Sequence, residues 1–414
     1  MLARTVDTIQ RREGGRILAG LIRFCGGFDA AEDALQEAYA RAMTEWPKSG
    51  LPANPAAWLT TVAQRVAVSA SRRQSRLAPV EEGVLEAFAA DPQEGPETQA
   101  ESAQEQIADD QLRLIFTCCH PALAPAAQAA LALKTICQLS VTEIARAYLE
   151  PETTTAQRLV RAKRKIAEAR IPYAVPAPDE LPGRLDAVLS VIYLVFNEGY
   201  TATESHELIR KELCREAIRL GQLVNSLLPA QPEAMGLLAM MQLHDARRPA
   251  RTDAVGRLVP LAEQDRRLWN HAAIADATEL VHTALRLHQP GAYQIEAAIA
   301  ALHCNAPDGS STDWEQISVL YGTLWQFRPT EIVALNAAVA HALAFSIDEG
   351  LARIERIAAR GELAQYHLLH AARADLLRRK GDTEAARAAY ARAITLCANA
   401  VEKSFLQRRA DELR

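Results

Sequence analysis

Between residues 152 and 170 one segment gathers Gln157, Arg158, Arg161, Lys163, Arg164 and Lys165. Guanidinium and ammonium groups neutralise phosphates, and Arg or Gln near the start of a helix can reach base edges in a major groove. A second basic group, Arg65, Arg72, Arg73 and Arg76, closes an N-terminal segment and suits the backbone of a single strand. A third group has the opposite character: Asp33, Gln36 and Glu37 recur at i, i+3 and i+4, which makes an acidic-polar helix face. Cys118-Cys119-His120 offers thiolate and imidazole, both good zinc ligands. Three consecutive residues point in different directions on a helix, however, and Cys137 and Cys25 show no ligand spacing. Core packing ahead of a helix stop at Pro121 is the expectation there. The sequence contains no glycine-rich phosphate loop, nucleophile elbow or paired-carboxylate motif. No catalytic residue, metal ligand or cofactor is therefore expected.

Local signals say which elements must hold these groups. Ser140-Val141-Thr142-Glu143 is a capping box that opens a short helix, Val141–Tyr148. A turn through Leu149-Glu150-Pro151-Glu152 follows, and Thr153 or Thr154 can cap a second helix to about Ala169. Leu159, Ala162, Ile166 and Ala169 form its apolar stripe, with Gln157, Arg161, Arg164 and Lys165 away from it and Arg158 and Lys163 on the flanks. Helix, tight turn and a second helix with one packed and one basic face is a helix-turn-helix pattern. Upstream, Asp29-Ala30-Ala31-Glu32 reads as another capping box for a helix to about Thr44. Asn54-Pro55 supplies an N-cap and a first-turn proline for the helix that carries Trp58, Leu59 and Val62.

The chain has 414 residues, 49% of them apolar and only 5% aromatic, with a net charge of −5. Its Ala, Leu, Arg and Glu content favours helices, period-two strand signals are nearly absent, and an all-α fold is expected. No apolar run reaches the roughly 18 residues of a membrane span, and the N-terminus lacks the apolar core of a signal peptide. The seven cysteines are scattered, as expected for reduced core thiols in a cytoplasmic protein. The near-neutral average hides segregated charge. Residues 78–110 hold ten acidic residues and no Lys or Arg, an acidic linker between the two basic segments. Residues 172–180, with Pro172, Pro176 and Pro178, form a second break before a helical remainder.

Asp29-Ala-Ala-Glu-Asp-Ala-Leu-Gln-Glu-Ala-Tyr39, Asn54-Pro-Ala-Ala-Trp-Leu59 and Arg72-Arg73 together resemble region 2 of the extracytoplasmic-function (ECF) sigma factors. Leu139-Ser140-Val141-Thr142-Glu143-Ile144-Ala145 with Ala156-Gln-Arg-Leu-Val-Arg-Ala-Lys-Arg-Lys165 is similar to their region 4. The resemblance covers about residues 5–171. It implies region 2 over 1–77, the acidic linker over 78–110 and a region 4 helix-turn-helix domain over 111–171. By the same resemblance the chain would bind core RNA polymerase and promoter DNA. Asp33, Gln36 and Glu37 would dock on the clamp helices of the largest subunit, and region 4 would sit at the flap. Arg65, Arg72, Arg73 and Arg76 would hold the −10 element, with Trp58 a core residue. Gln157, Arg158, Arg161, Lys163, Arg164 and Lys165 would serve the −35 element.

Residues 181–414 exceed what that family usually carries. His367–Leu396 resembles a tetratricopeptide (TPR) repeat, with Ala374, Leu377, Gly381-Asp382, Ala386, Tyr390 and Ala393 at helix-packing positions. Further helix pairs are expected at Glu207–Leu227 with Glu233–Asp245 and at Trp314–Gln326 with Glu331–Phe345. The whole resembles a sigma-factor subgroup with a fused TPR-like extension, which implies a regulatory domain with an intramolecular or protein partner. Leu194-Val-Phe-Asn-Glu-Gly-Tyr200 and Leu243-His-Asp-Ala-Arg-Arg-Pro-Ala-Arg251 look like signatures of that subgroup. Gly199 reads as a helix C-cap turn or part of a ligand site. His244 and Asp245 beside three arginines read as a solvated helix end or a dock for an acidic partner.

Overall fold

The computed structural model describes residues 2–75, 109–148, 150–201 and 211–413. The protein is all-α: the described residues contain no β-strand, only an isolated bridge between Thr252 and Leu258. Two compact units divide the chain, Met1–Val191 and Ile192–Arg414.

The N-terminal unit begins with three mutually packed helices, α1 (Leu2–Cys25), α2 (Phe28–Ser49) and α3 (Pro55–Ser75). Leu18, Leu21, Leu35 and Leu59 are fully buried between them. Helix α3 starts as its sequence directs, with the Asn54 side chain accepting from the Ala57 N–H at 3.1 Å and Pro55 in the first turn. Helix α2 does not start at the expected capping box. It begins at Phe28 after Gly27, two residues earlier than an Asp29 cap would place it, and runs to Ser49 with Pro47 inside its last turn. Asp29 and Glu32 are thereby freed from capping for other partners.

The rest of this unit comprises α4 (residues 109–118), α5 (Pro125–Thr135), α6 (Val141–Ala147) and α7 (Glu152–Glu168). The acidic stretch over 78–110 lies outside the described residues except for Asp109 and Asp110, which belong to α4. Cys118 and Cys119 are buried at the end of α4, where burial pushes the Cys118 thiol up to about 12. The α6 cap forms in full. Glu143 accepts from the Ser140 N–H at 2.8 Å, and the Ser140 hydroxyl accepts from the Glu143 N–H at 3.1 Å. Burial acts to raise the Glu143 carboxyl, but the Ser140 bonds and Arg11 outweigh it and hold it below the usual range.

The division between units falls inside α8 (Leu181–Thr201). The C-terminal unit continues through α9 (Lys211–Leu227), α10 (Pro232–Ala246), α11 (His271–Arg286), α12 (Ala292–Asn305), α13 (Trp314–Phe327), α14 (Glu331–Ala344), α15 (Ile347–Arg360), α16 (His367–Lys380), α17 (Thr383–Leu396) and α18 (Ala400–Asp411). From α9 onward each helix packs on the next in the chain, and α10 also packs on α12. The expected pairs appear at α9–α10, α13–α14 and α16–α17; residues 207–210, the expected start of the first pair, lie outside the described residues. Helices of about 14 residues are marginal alone, so sharp ends and neighbours must hold them. Side-chain caps from Asn270, Asp313, Thr330, Ser346, Asp382 and Asn399 start six of these helices. Gly381, at φ 88°, ends α16 and lets Asp382 open α17 at once.

A longer-range cap joins α10 to α12. The Glu233 carboxylate accepts from the Tyr293 and Gln294 N–H groups at 3.0 and 3.1 Å, satisfying free donors at the α12 start. Gly236, one turn along, admits the same backbone: a Cβ there would lie 2.6 Å from the Gln294 nitrogen.

Gly236→Ala loses about 1–3 kcal/mol to overpacking, whereas Gly322→Ala, in an exposed turn of α13 with open space around it, gains about 0.5–1 kcal/mol of helix propensity. Calorimetric melts should move in opposite directions for the two variants. For α6, Ser140→Ala should cost about 1 kcal/mol in urea unfolding. A depressed carboxyl stabilises the fold above its unfolded pKa and ceases to do so as pH falls through its folded pKa. The deficit of Glu143→Gln against wild type should therefore be present at neutral pH and shrink in acid.

Candidate nucleic-acid interface

Helices α6 and α7 meet through a tight turn, as the helix-turn-helix pattern anticipates. The turn is built differently from the expectation, because neither Thr153 nor Thr154 caps α7. The helix begins at Glu152 behind Pro151, without a side-chain cap. Glu150 organises the corner instead: its two carboxylate oxygens accept from the Arg158 guanidinium at 2.5 and 2.6 Å. The buried Thr155 hydroxyl also donates to Glu150, at 2.5 Å. Burial acts to raise the Glu150 carboxyl, but these bonds outweigh it and hold it below the usual range.

Leu159, Ala162 and Ile166 are buried on one face of α7, while Ala169, the fourth member of the expected stripe, is an exposed C-cap. Gln157, Arg161, Arg164 and Lys165 are exposed on the other side. Arg164 makes one loose pair, 3.5 Å from Glu168. A groove of about 440 Å³ runs beside them, lined in part by Leu123, Thr154, Gln157, Arg161 and Lys165. Val160, a residue the sequence reading passed over, stands on the same face and is 65% exposed. At i+3 from Gln157 and among polar neighbours, it can offer an apolar contact to a thymine methyl. The available signal was a lone apolar residue off the packed stripe.

The two flanking cations are engaged within the protein. Arg158 is held by Glu150, and the Lys163 ammonium reaches Glu32 at 2.6 Å and Asp29 at 3.2 Å on α2. Its side chain is only 17% exposed. Burial works to lower the Lys163 pKa, but the two carboxylates outweigh it and raise it above the usual range. Arg11 on α1 likewise pairs with Glu143 on α6, and the Tyr173 hydroxyl donates to the Ala19 carbonyl at 2.8 Å. The α1–α3 and α5–α7 groups are thus bonded directly to each other.

On α2, Asp33, Gln36 and Glu37 are all exposed, and Glu37 pairs with Arg41 one turn along at 2.9 Å. Trp58 is half-buried, its ring edge-on to the buried Trp46 at 5.3 Å. Arg65 is exposed on α3. Arg72 and Arg73 belong to the last turns of α3, but their side chains lie outside the described set, and Arg76 lies outside the described residues.

Comparison with known proteins sets these helices in a family. Residues 10–77 match sigma-70 region 2, the span of α1, α2 and α3. Residues 184–285 match a family of unknown function (DUF6596). An uncharacterized protein of Rhizobium meliloti is 42% identical over 396 residues, covering 96% of this chain and 93% of its own length. The chain belongs to the same family as that Rhizobium protein, and its N-terminal sigma-70 region 2 domain supports a sigma-factor role in transcription initiation.

Proposed function

We propose that this chain binds core RNA polymerase and directs promoter-specific initiation as an ECF-type sigma factor, with a TPR-like helical extension that modulates it. The observation that carries the reading is the sigma-70 region 2 match, followed downstream by the packed helices α6 and α7, the second of which exposes a basic face. In this reading residues 1–77 act as region 2, 78–110 as an acidic linker, 111–171 as region 4, 172–180 as a Pro-rich linker and 181–414 as the regulatory extension. The protein works in the cytoplasm and is not an enzyme.

Asp33, Gln36 and Glu37 dock on the polymerase clamp helices, and region 4 meets the flap. Arg65, Arg72, Arg73 and Arg76 hold the −10 strand backbone. On α7, Gln157, Arg161 and Val160 face the −35 bases while Arg164 and Lys165 neutralise phosphates. Arg158 acts by fixing the turn through Glu150. Lys163 reaches DNA only by exchanging Asp29 and Glu32 for a phosphate, so DNA binding competes with the contact between the two helical groups.

Arg161→Ala with Arg164→Ala should lower promoter affinity and, through the lost Arg164 phosphate contact, reduce the slope of log affinity against log salt by about 1, with core-polymerase binding unchanged. Charge reversal at Asp33 and Glu37 should produce the converse, at least about tenfold weaker core binding with DNA contacts intact. In vitro transcription with core polymerase decides the reading as a whole: no polymerase binding and no promoter-specific transcript from folded full-length protein would overturn it. A folded chain ending after Val191 should differ from full-length protein in promoter output, and equal output would remove the modulating role.

A further inference from the structure

Two motifs of the extension lie outside the sigma reading, and the fold brings them together. Gly199 is not a C-cap. It lies inside α8, where a Cβ would lie 2.8 Å from the Cys214 nitrogen, so the residue permits α9 to approach. The turn around it presents Phe196 and Tyr200, whose rings stack at 5.5 Å. His244 at the end of α10 meets the Tyr200 ring at 5.0 Å. Arg251 lies over the other motif, its guanidinium 3.8 Å from the Tyr200 ring centre and donating to the Tyr200 carbonyl at 2.7 Å.

At the centre is Arg247, which is not a solvated helix end but 5% exposed. Its guanidinium donates to His244 Nδ1 at 2.7 Å. A guanidinium has no acceptor, so Nδ1 accepts and a neutral His244 ring carries its proton on Nε2. The Arg247 Nε has no hydrogen-bond partner among the described residues. On the far side stands Arg266, in a short 3-10 turn (Arg266–Leu268). It rests on the Trp269 ring and donates to the His303 carbonyl at 2.9 Å. Burial, then Arg247 and Arg251, drive His244 toward its neutral form. Burial, Arg247 and Arg266 take His303 down to about 4. Arg247 is thus common to both flanks, and neither histidine adds charge.

Arg251 and Arg266 thus flank Arg247 through Tyr200 with His244 and through His303, and among the described residues none of the three ion-pairs with a carboxylate. Two nearby acids form no ion pair with them. Asp245 holds Arg248 at 2.6 Å, and Asp308, whose field reaches Arg266, accepts from Ser310 and Ser311. Asp308 and the ends of α10 and α12, at about half a negative charge each, offset part of the positive charge, while the buried Arg247 pairs with no carboxylate among the described residues. An unpaired buried charge is strongly unfavourable, so the arrangement calls for an anion. Arg251 and Arg266 are half-buried, so each keeps part of its side chain in contact with solvent.

We propose that Arg247, Arg251 and Arg266 form a binding site for a phosphate group, inorganic or borne as a monoester on a small molecule. Guanidinium forks match phosphate oxygens, and a phosphate near dianionic at neutral pH suits three cations better than one carboxylate does. Both faces of the Tyr200 ring are covered, by Phe196 and Arg251, so the recognition is of the phosphate and not of a stacked base. The site stands independently of the sigma reading.

The test uses full-length protein, with inorganic phosphate and glycerol 3-phosphate titrated at constant ionic strength against chloride. Melting temperature and calorimetric affinity are the readouts. Either ligand should raise the melting temperature dose-dependently, and the tighter of the two identifies the source. Arg247→Met and Arg266→Met should each weaken binding at least about tenfold. Arg267→Met, which removes an exposed neighbour paired with Asp265, should leave it unchanged. Without ligand, Arg247→Met should melt no lower than wild type, because an unpaired buried charge is lost. If that variant does not fold, the half-buried Arg266→Met decides. No shift with either ligand at about 10 mM, an undiminished shift in the Arg247 or Arg266 variants, or an equal loss in Arg267→Met would overturn the proposal.

Discussion

The N-terminal unit depends on a close approach between α1 and the corner that precedes α6. Gly15 makes the approach possible, since a Cβ there would collide with the Ile136 carbonyl oxygen, and Gly14 gives the same room to the Tyr39 hydroxyl and Gln138. Around that seam lie Arg11 with Glu143, Lys163 with Asp29 and Glu32, and Tyr173 with the Ala19 carbonyl. A larger residue at the seam would part the two helical groups and leave these polar groups to water. The steric allowance comes first, and the charge pairing is built on it.

That seam changes the meaning of the basic helix. A cation on α7 is useful to nucleic acid only while it faces solvent, and α7 divides its cations between two tasks. Arg161, Arg164 and Lys165 keep the exposed face, whereas Arg158 and Lys163 secure the turn and the contact with α2. In the function we propose, such a division makes the resting arrangement and a DNA-bound one compete for the same lysine.

In the C-terminal unit the constraint is helix length. Short helices need defined ends, and the side-chain caps together with the Glu233 carboxylate at α12 satisfy donors that would otherwise be buried unpaired. The cluster around Arg247 is built differently from the unit's ion pairs: Arg328 meets Glu296 and Arg360 meets Glu331, whereas among the described residues these three guanidinium groups meet no carboxylate.

The all-α class, the Asn54 and Ser140 caps and the α16–α17 pair were legible in the sequence, because each rests on interactions within a few residues. So was the exposed face of α7, since the 3.6-residue period separates its apolar stripe from its cations. The Asp29 capping box failed for a tertiary reason: Asp29 and Glu32 serve Lys163, 134 and 131 residues away. The α7 caps failed because Glu150 takes Thr155 and Arg158 into one corner. Nor does periodicity reveal that Arg247 is buried or that Tyr200 meets Arg251, since both follow from how α8, α9 and α10 cross. Which residues form helices and where charge concentrates could be read along the chain, because those are local properties. Which charges are paired, exposed or buried without a partner could not, because that depends on distances between residues far apart in the chain.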